Sequence, residues 1–130
     1  MSHDSILGSC KLMAFAPVTD PARARAFYEG ALGLRLVEDE APFALVFDAH
    51  GTMLRVTPVG EFRPAQFTVL GWEVDSIENT VERLTKAGVN FLRFPGMNDN
   101  NSLGIWDAPS GARIAWFNDP DGNVLSVTQF

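Results

Sequence analysis

Cysteine and histidine are nearly missing from this chain of 130 residues. The single cysteine, Cys10, has no intrachain disulfide partner, and with only Lys11 as a basic neighbour it reads as a small apolar residue, not a reactive thiol. The two histidines are His3 in the tail and His50 in a turn, so a metal centre built from strand-borne imidazoles is not available. Basic residues are also short: 10 against 16 acidic, a net charge of −6 that repels phosphate backbones and excludes nucleic acid as an expected partner. No apolar run is long enough to span a bilayer. The start, Met1-Ser2-His3-Asp4-Ser5, lacks the basic run and apolar segment of a secretory leader. A cytoplasmic protein with no membrane partner is the expectation. What is abundant is apolar: 46% hydrophobic against 20% charged residues, in a length that suits one buried core.

The clearest local signal is the ending, Ala115 to Thr128, where two apolar strands flank Asp119-Pro120-Asp121-Gly122. Pro fixes φ at the first corner of such a turn and Gly tolerates positive φ at the last. Ala44 to Thr57 is a weaker copy at a shift of 71, with Asp48 on Asp119, Gly51 on Gly122, Leu54 on Leu125 and Val56 on Val127. The remaining elements repeat in the same order. Cys10 to Val18 reads as a strand. Asp20-Pro21 opens a helix with Phe27, Tyr28, Ala31 and Leu32 on one face, and Gly33 closes it. Leu34 to Val37 is a short strand, and the hairpin of Pro42 to Asp48 and Thr52 to Pro58 follows.

Beyond a connector at 59–64, Gln66 to Val74 reads as a strand. Asp75 caps a helix, with Glu78 completing a capping box and Ile77, Val81 and Leu84 as its stripe. Val89 to Phe94 is a strand, and the final hairpin closes the second half. Two tandem βαβββ modules, at about 10–58 and 66–130, are expected within one domain. They give an α+β fold whose mixed sheet curls as a half-barrel around a cavity. The shift between halves grows from 56 at Val18/Val74 to 71 at the hairpins. The extra chain falls in 95–112, where Ile105 and Trp106 sit between turn-rich stretches, as in a flap over a binding site.

Asp20 to Tyr28 leading to Leu32-Gly33-Leu34, the ending Phe117-Asn118-Asp119-Pro120-Asp121-Gly122-Asn123 and the repeat together resemble the vicinal oxygen chelate superfamily. That superfamily holds glyoxalase I, bleomycin-resistance proteins and extradiol dioxygenases. In its metal-dependent members, His or Gln and Glu side chains from four strands hold a divalent ion. The resemblance puts Met13, Arg55, Val69 and Ser126 at those positions, and none is a competent ligand.

Strand alternation then sends Lys11, Met13 and Phe15; Met53, Arg55 and Thr57; Phe67 and Val69; and Val124, Ser126 and Thr128 to one face. Pairing across the last turn adds Phe117 opposite Val124, Ala115 opposite Ser126 and Arg113 opposite Thr128. The expected binding residues are Met13, Phe15, Arg55, Phe67, Val69, Trp106, Arg113, Phe117 and Ser126. Arg55 and Arg113 would be anchors and Trp106 a cover. The competing possibility is that Met13, Phe15, Phe67 and Val69 simply fill the core. Arg55 needs a partner, either an internal carboxylate or an anionic ligand. Asp75 is explained by capping, while Glu38, Asp39, Glu40 and Glu61 read as solvated connector charge. No Ser/His/Asp or Cys/His set stands at a recognisable spacing.

The resemblance with its replaced ligands implies a metal-independent binding protein without a cofactor. It would be a homodimer taking a small aromatic or anionic molecule, in the manner of the resistance proteins. The alternative is a metal-dependent glyoxalase- or dioxygenase-like enzyme with non-standard ligands.

Overall fold

The computed structural model describes residues 6–130; the tail carrying His3 lies outside them. In β1 (Met13–Val18) the buried Ala16 and Val18 alternate with the exposed Met13 and Phe15. Asp20 then caps α1 (Pro21–Arg25), its carboxylate accepting from the amides of Ala22 at 3.0 Å and Arg23 at 3.2 Å. The helix widens into a π-helical segment, Ala26–Ala31, closed by Leu32 N donating to Phe27 O. β2 (Arg35–Glu40), β3 (Ala44–Ala49) and β4 (Thr52–Pro58) complete a sheet of order β1-β4-β3-β2, in which β1 runs parallel to β4. The second half repeats this with β5 (Thr68–Glu73), α2 (Ile77–Lys86), β6 (Trp106–Asp107), β7 (Arg113–Asn118) and β8 (Val124–Gln129), in order β5-β8-β7-β6. The fold is α+β, two four-stranded mixed sheets with two helices, and the sheets are not closed into a barrel.

Several elements depart from the sequence expectations. β2 continues through Glu40, so Glu38 and Glu40 are strand residues and not connector charge. Ser76, not Asp75, caps α2: its Oγ accepts from Asn79 N, and Ile77 is the first helical residue. Val89–Phe94 does not form a full strand. Only Phe91 bridges to Phe117, with Leu92 N donating to Trp116 O, while β6 pairs farther along the same edge at Ile114. The inserted chain therefore interrupts the edge strand of the second sheet. It is not a lid over the open face. Asn98, almost fully buried, donates to Leu92 O and Gly104 O and accepts from Phe94 N. The Arg93 guanidinium binds the carbonyls of Asn98, Asn101 and Ser102. Ser102 and Leu103 border a groove with Glu82, Thr85 and Lys86, on the helix side of the sheet.

The two hairpins also differ by one residue. β3 and β4 meet through a two-residue turn, His50 (φ 50°) and Gly51 (φ 96°), with Ala49 opposite Thr52. In the second hairpin Asp119 N donates to Asn123 O around a three-residue loop, Pro120-Asp121-Gly122. The shift of 71 holds for β4 and β8, but β3 and β7 follow a shift of 70. Phe117 accordingly pairs with Leu125, Ala115 with Val127 and Arg113 with Gln129.

Both halves bury their helix-side faces in one core. Ala16, Phe47, Leu54 and Val56 of the first sheet join Ala115, Phe117, Leu125 and Val127 of the second. Each large apolar side chain buried this way contributes roughly 1.5–3 kcal/mol. Phe27 reaches Phe117 across the boundary, with ring centroids 6.3 Å apart. Tyr28 donates to Asp119 Oδ2 at 2.7 Å, and Asn123 Nδ2 donates both to Asp119 and to Pro17 O. The backbone amides of Asp121 and Asn123 donate to the same carboxylate, so this buried charge is fully satisfied. With the helices on the core side, the opposite face of each sheet is left open.

Candidate functional site

On the first open face one row crosses the sheet: Phe15 (β1), Arg55 (β4), Val46 (β3) and Glu38 (β2). Arg55 reaches over to Glu40, Nη2 to Oε1 at 3.0 Å, so its partner is an internal carboxylate. Glu38 lies two residues along the same face. A hydrogen bond to Glu40, together with that neighbour's charge, raises its pKa above the ordinary carboxylate value. Arg35 pairs with Asp48 at 3.4 Å. A groove of about 360 Å³ runs along Leu12, Met13, Val37, Val46 and Met53.

The matching row of the second face is Gly71 (β5), Ser126 (β8) and Trp116 (β7), with Leu92 alongside. Trp116 stands between Phe94, in edge-to-face contact at 5.5 Å, and Trp106 at 6.0 Å. A second groove, of about 400 Å³, is lined by Phe67, Leu92, Phe94, Trp116, Asn118 and Val124 among others. Among the described residues no charged side chain lines it.

Among the expected residues, Met13, Phe15, Arg55 and Ser126 occupy open faces. Phe67 (69% exposed) and Phe15 (59%) do not fill the core, and Met13 and Val69 are likewise exposed. Val69 sits where the β5–β8 register shifts, between Thr68 and Leu70. Trp106 belongs to the sheet edge beside Trp116 and is no cover.

Two assignments are wrong. Phe117 is fully buried on the core side. Arg113 lies on the helix side, bound to Glu78 of α2 at 3.1 Å and Asp107 at 2.9 Å; hydrogen bonds to these two carboxylates raise its pKa. The cause is the three-residue loop, because a one-residue slip in register turns every side chain of a strand to the other face. Trp116 takes the place intended for Phe117. Trp116, Phe94, Gly71 and the Glu38/Glu40 pair lie on or beside these faces outside the expected set. The alternation of Glu38 and Glu40 was the available signal for a strand there.

The positions that the family resemblance assigns to an ion carry a thioether, a guanidinium, an isopropyl group and a hydroxyl: Met13, Arg55, Val69 and Ser126. Their donor chemistry does not fit a divalent ion. Among the described residues no group of three or more His, Cys, Asp or Glu side chains is placed to hold one. No helix among them is long and apolar enough to cross a membrane.

The architecture is similar to that of many solved structures. A protein from Bacillus anthracis assigned to the glyoxalase family superposes with a TM-score of 0.76 at 16% identity, over 98% of both chains. Lactoylglutathione lyase from Agrobacterium tumefaciens gives 0.73 at 16% identity, over 93% of both. A member of the glyoxalase/bleomycin resistance protein/dioxygenase superfamily from Sphaerobacter thermophilus gives 0.69 at 24% identity, over 92% of this chain and 96% of the other. At these identities the likeness concerns the fold. No curated protein matches in sequence. The family model of the Glyoxalase/Bleomycin resistance protein/Dioxygenase superfamily matches residues 12–127, and the chain belongs to that superfamily.

Proposed function

We propose that this protein binds a small molecule without a metal ion, as a homodimer, and holds its ligand without transforming it. The observation that carries this is the content of the four strand positions: Met13, Arg55, Val69 and Ser126 supply no ligand set, while the faces around them expose apolar and aromatic surface. Such surface on both sheets favours a covering partner. A second copy suits it, because the two faces differ in shape: Phe15 and Arg55 project where the other half has Gly71 and Ser126, and Trp116 projects opposite the smaller Val46. A ligand held between such faces would be sequestered from solvent, which fits a protective role of the resistance type.

Native mass spectrometry tests the whole reading at once, with an uncharged aromatic amine as ligand. The expected spectrum is a dimer that retains the amine equally well before and after chelator treatment, with the amine unchanged on release. Binding abolished by chelator, or an altered amine, contradicts it.

A further inference from the structure

The second open face contains a polar side-chain atom that has no hydrogen-bond partner among the described residues. Ser126 is only 6% exposed, and among the described residues its hydroxyl makes no hydrogen bond. A buried hydroxyl without a partner is costly. Ser126 lies in the row between Gly71 and Trp116. Gly71 itself is exposed, and a Cβ there would stand 2.9 Å from Ser126 Oγ. The missing side chain therefore leaves a notch that opens onto the hydroxyl. Trp116 directly across, and Val124 two residues along, both line the aromatic groove.

Resting on the binding function proposed above, we infer that the Gly71–Ser126 notch and the Phe94–Trp116–Trp106 wall form one subsite for an uncharged planar aromatic molecule. The ligand's ring packs against Trp116 and its polar edge hydrogen-bonds to Ser126 Oγ. Among the described residues no side chain lining the groove is ionisable, Arg55 is paired with Glu40, and Arg113 is bound to Glu78 and Asp107 on the other side of the sheet. An anionic ligand would lose its hydration there without gaining a counter-charge. The aromatic side chains offer faces and edges to a ring. The hydroxyl both donates and accepts, so it suits a ring amine, phenol or carbonyl.

N-phenyl-1-naphthylamine and its 8-sulfonate share the same rings and differ by one negative charge, so titrating both against the full chain tests ligand class and place together. The neutral amine is expected to bind about tenfold or more tightly than the sulfonate and to quench tryptophan emission. Trp116→Leu and Gly71→Val should each weaken it about tenfold, and the near-isosteric Ser126→Ala roughly threefold to tenfold. Thermal melts matched to the parent chain exclude misfolding, and Ser126→Ala serves where a bulkier change disturbs the sheet. Equal affinity for the sulfonate overturns the ligand class. Undiminished binding in Trp116→Leu and Ser126→Ala overturns the subsite and leaves the binding function standing. No binding of either dye to the parent chain overturns the subsite, and a failure of the mass spectrometric test overturns the binding function on its own terms.

Discussion

The central rows of the two open faces come from the same backbone pattern and carry opposite chemistry. In the first sheet the row is Phe15, Arg55, Val46 and Glu38, with a guanidinium tied to one carboxylate and a second carboxylate beside it. In the second it is Gly71, Ser126 and Trp116, without charge, with a notch at one end and an aromatic wall at the other. The repeated architecture conserves which positions face outward and leaves their content free. Helix-side positions are constrained alike in both halves, since Leu54 and Val56 match Leu125 and Val127 and all four are buried. The difference teaches that one repeated backbone pattern can carry unlike side-chain chemistry on its two outward faces.

The sharpest way to break the comparison is to exchange neighbours on β7. Phe117→Ala should cost about 3–5 kcal/mol in denaturant unfolding, because Phe117 is fully buried between Phe27 and Phe91. Trp116→Ala, one residue away on the open face, should cost clearly less. The reverse order would restore the register that a shorter loop implies and remove Trp116 from the open face.

A smaller effect is expected at the contact that joins the halves. Tyr28→Phe deprives Asp119 of one donor and should destabilise by about 1–3 kcal/mol. Burial, followed by the charge of Asp119, raises the Tyr28 pKa far above its ordinary value. The stabilising contribution is thus complete below the unfolded pKa, near 10, and is lost as pH rises beyond it. Unfolding free energies measured through that range should fall more steeply for the parent than for Tyr28→Phe, and parallel curves would contradict the assignment.

The smallest effect belongs to the charged row. The Arg55 and Glu40 side chains are 26% and 36% exposed, so a double-mutant cycle of Arg55→Met and Glu40→Gln should return a coupling of about 0.2–1 kcal/mol. Several kcal/mol would make Arg55 a buried structural element.

How much of this was legible in the sequence depends on what each feature requires. Strand alternation needs only a period of two, so Met13, Phe15, Met53 and Arg55 were assigned to the correct face from the sequence alone. Asp20 as a helix cap is equally local, and Asp119 N–H and side-chain bonding explains why the Asp-Pro-Asp-Gly turn was so visible. Phe117 and Arg113 were misassigned because pairing depends on loop length, and two- and three-residue loops look alike in sequence until the closing bond from Asp119 N to Asn123 O is seen. Asp75 and Ser76 are both good caps, and which one turns its side chain onto the first amides is settled by where Ile77 enters the core. The insertion read as a flap because turn-rich composition does not reveal that Asn98 would be buried and bonded to Leu92 and Gly104. The notch at Ser126 depends on a glycine from another strand, a long-range fact that no local pattern contains.

The proposed function requires that Met13, Arg55, Val69 and Ser126 hold no divalent ion. Elemental analysis by inductively coupled plasma mass spectrometry, on protein purified without chelator and then equilibrated with nickel, zinc, manganese or iron and desalted, tests it most directly. The content expected is far below one ion per chain for every metal, unchanged in Ser126→Ala. One tightly held ion per chain, lost on substitution of residues lining the open faces, would contradict it.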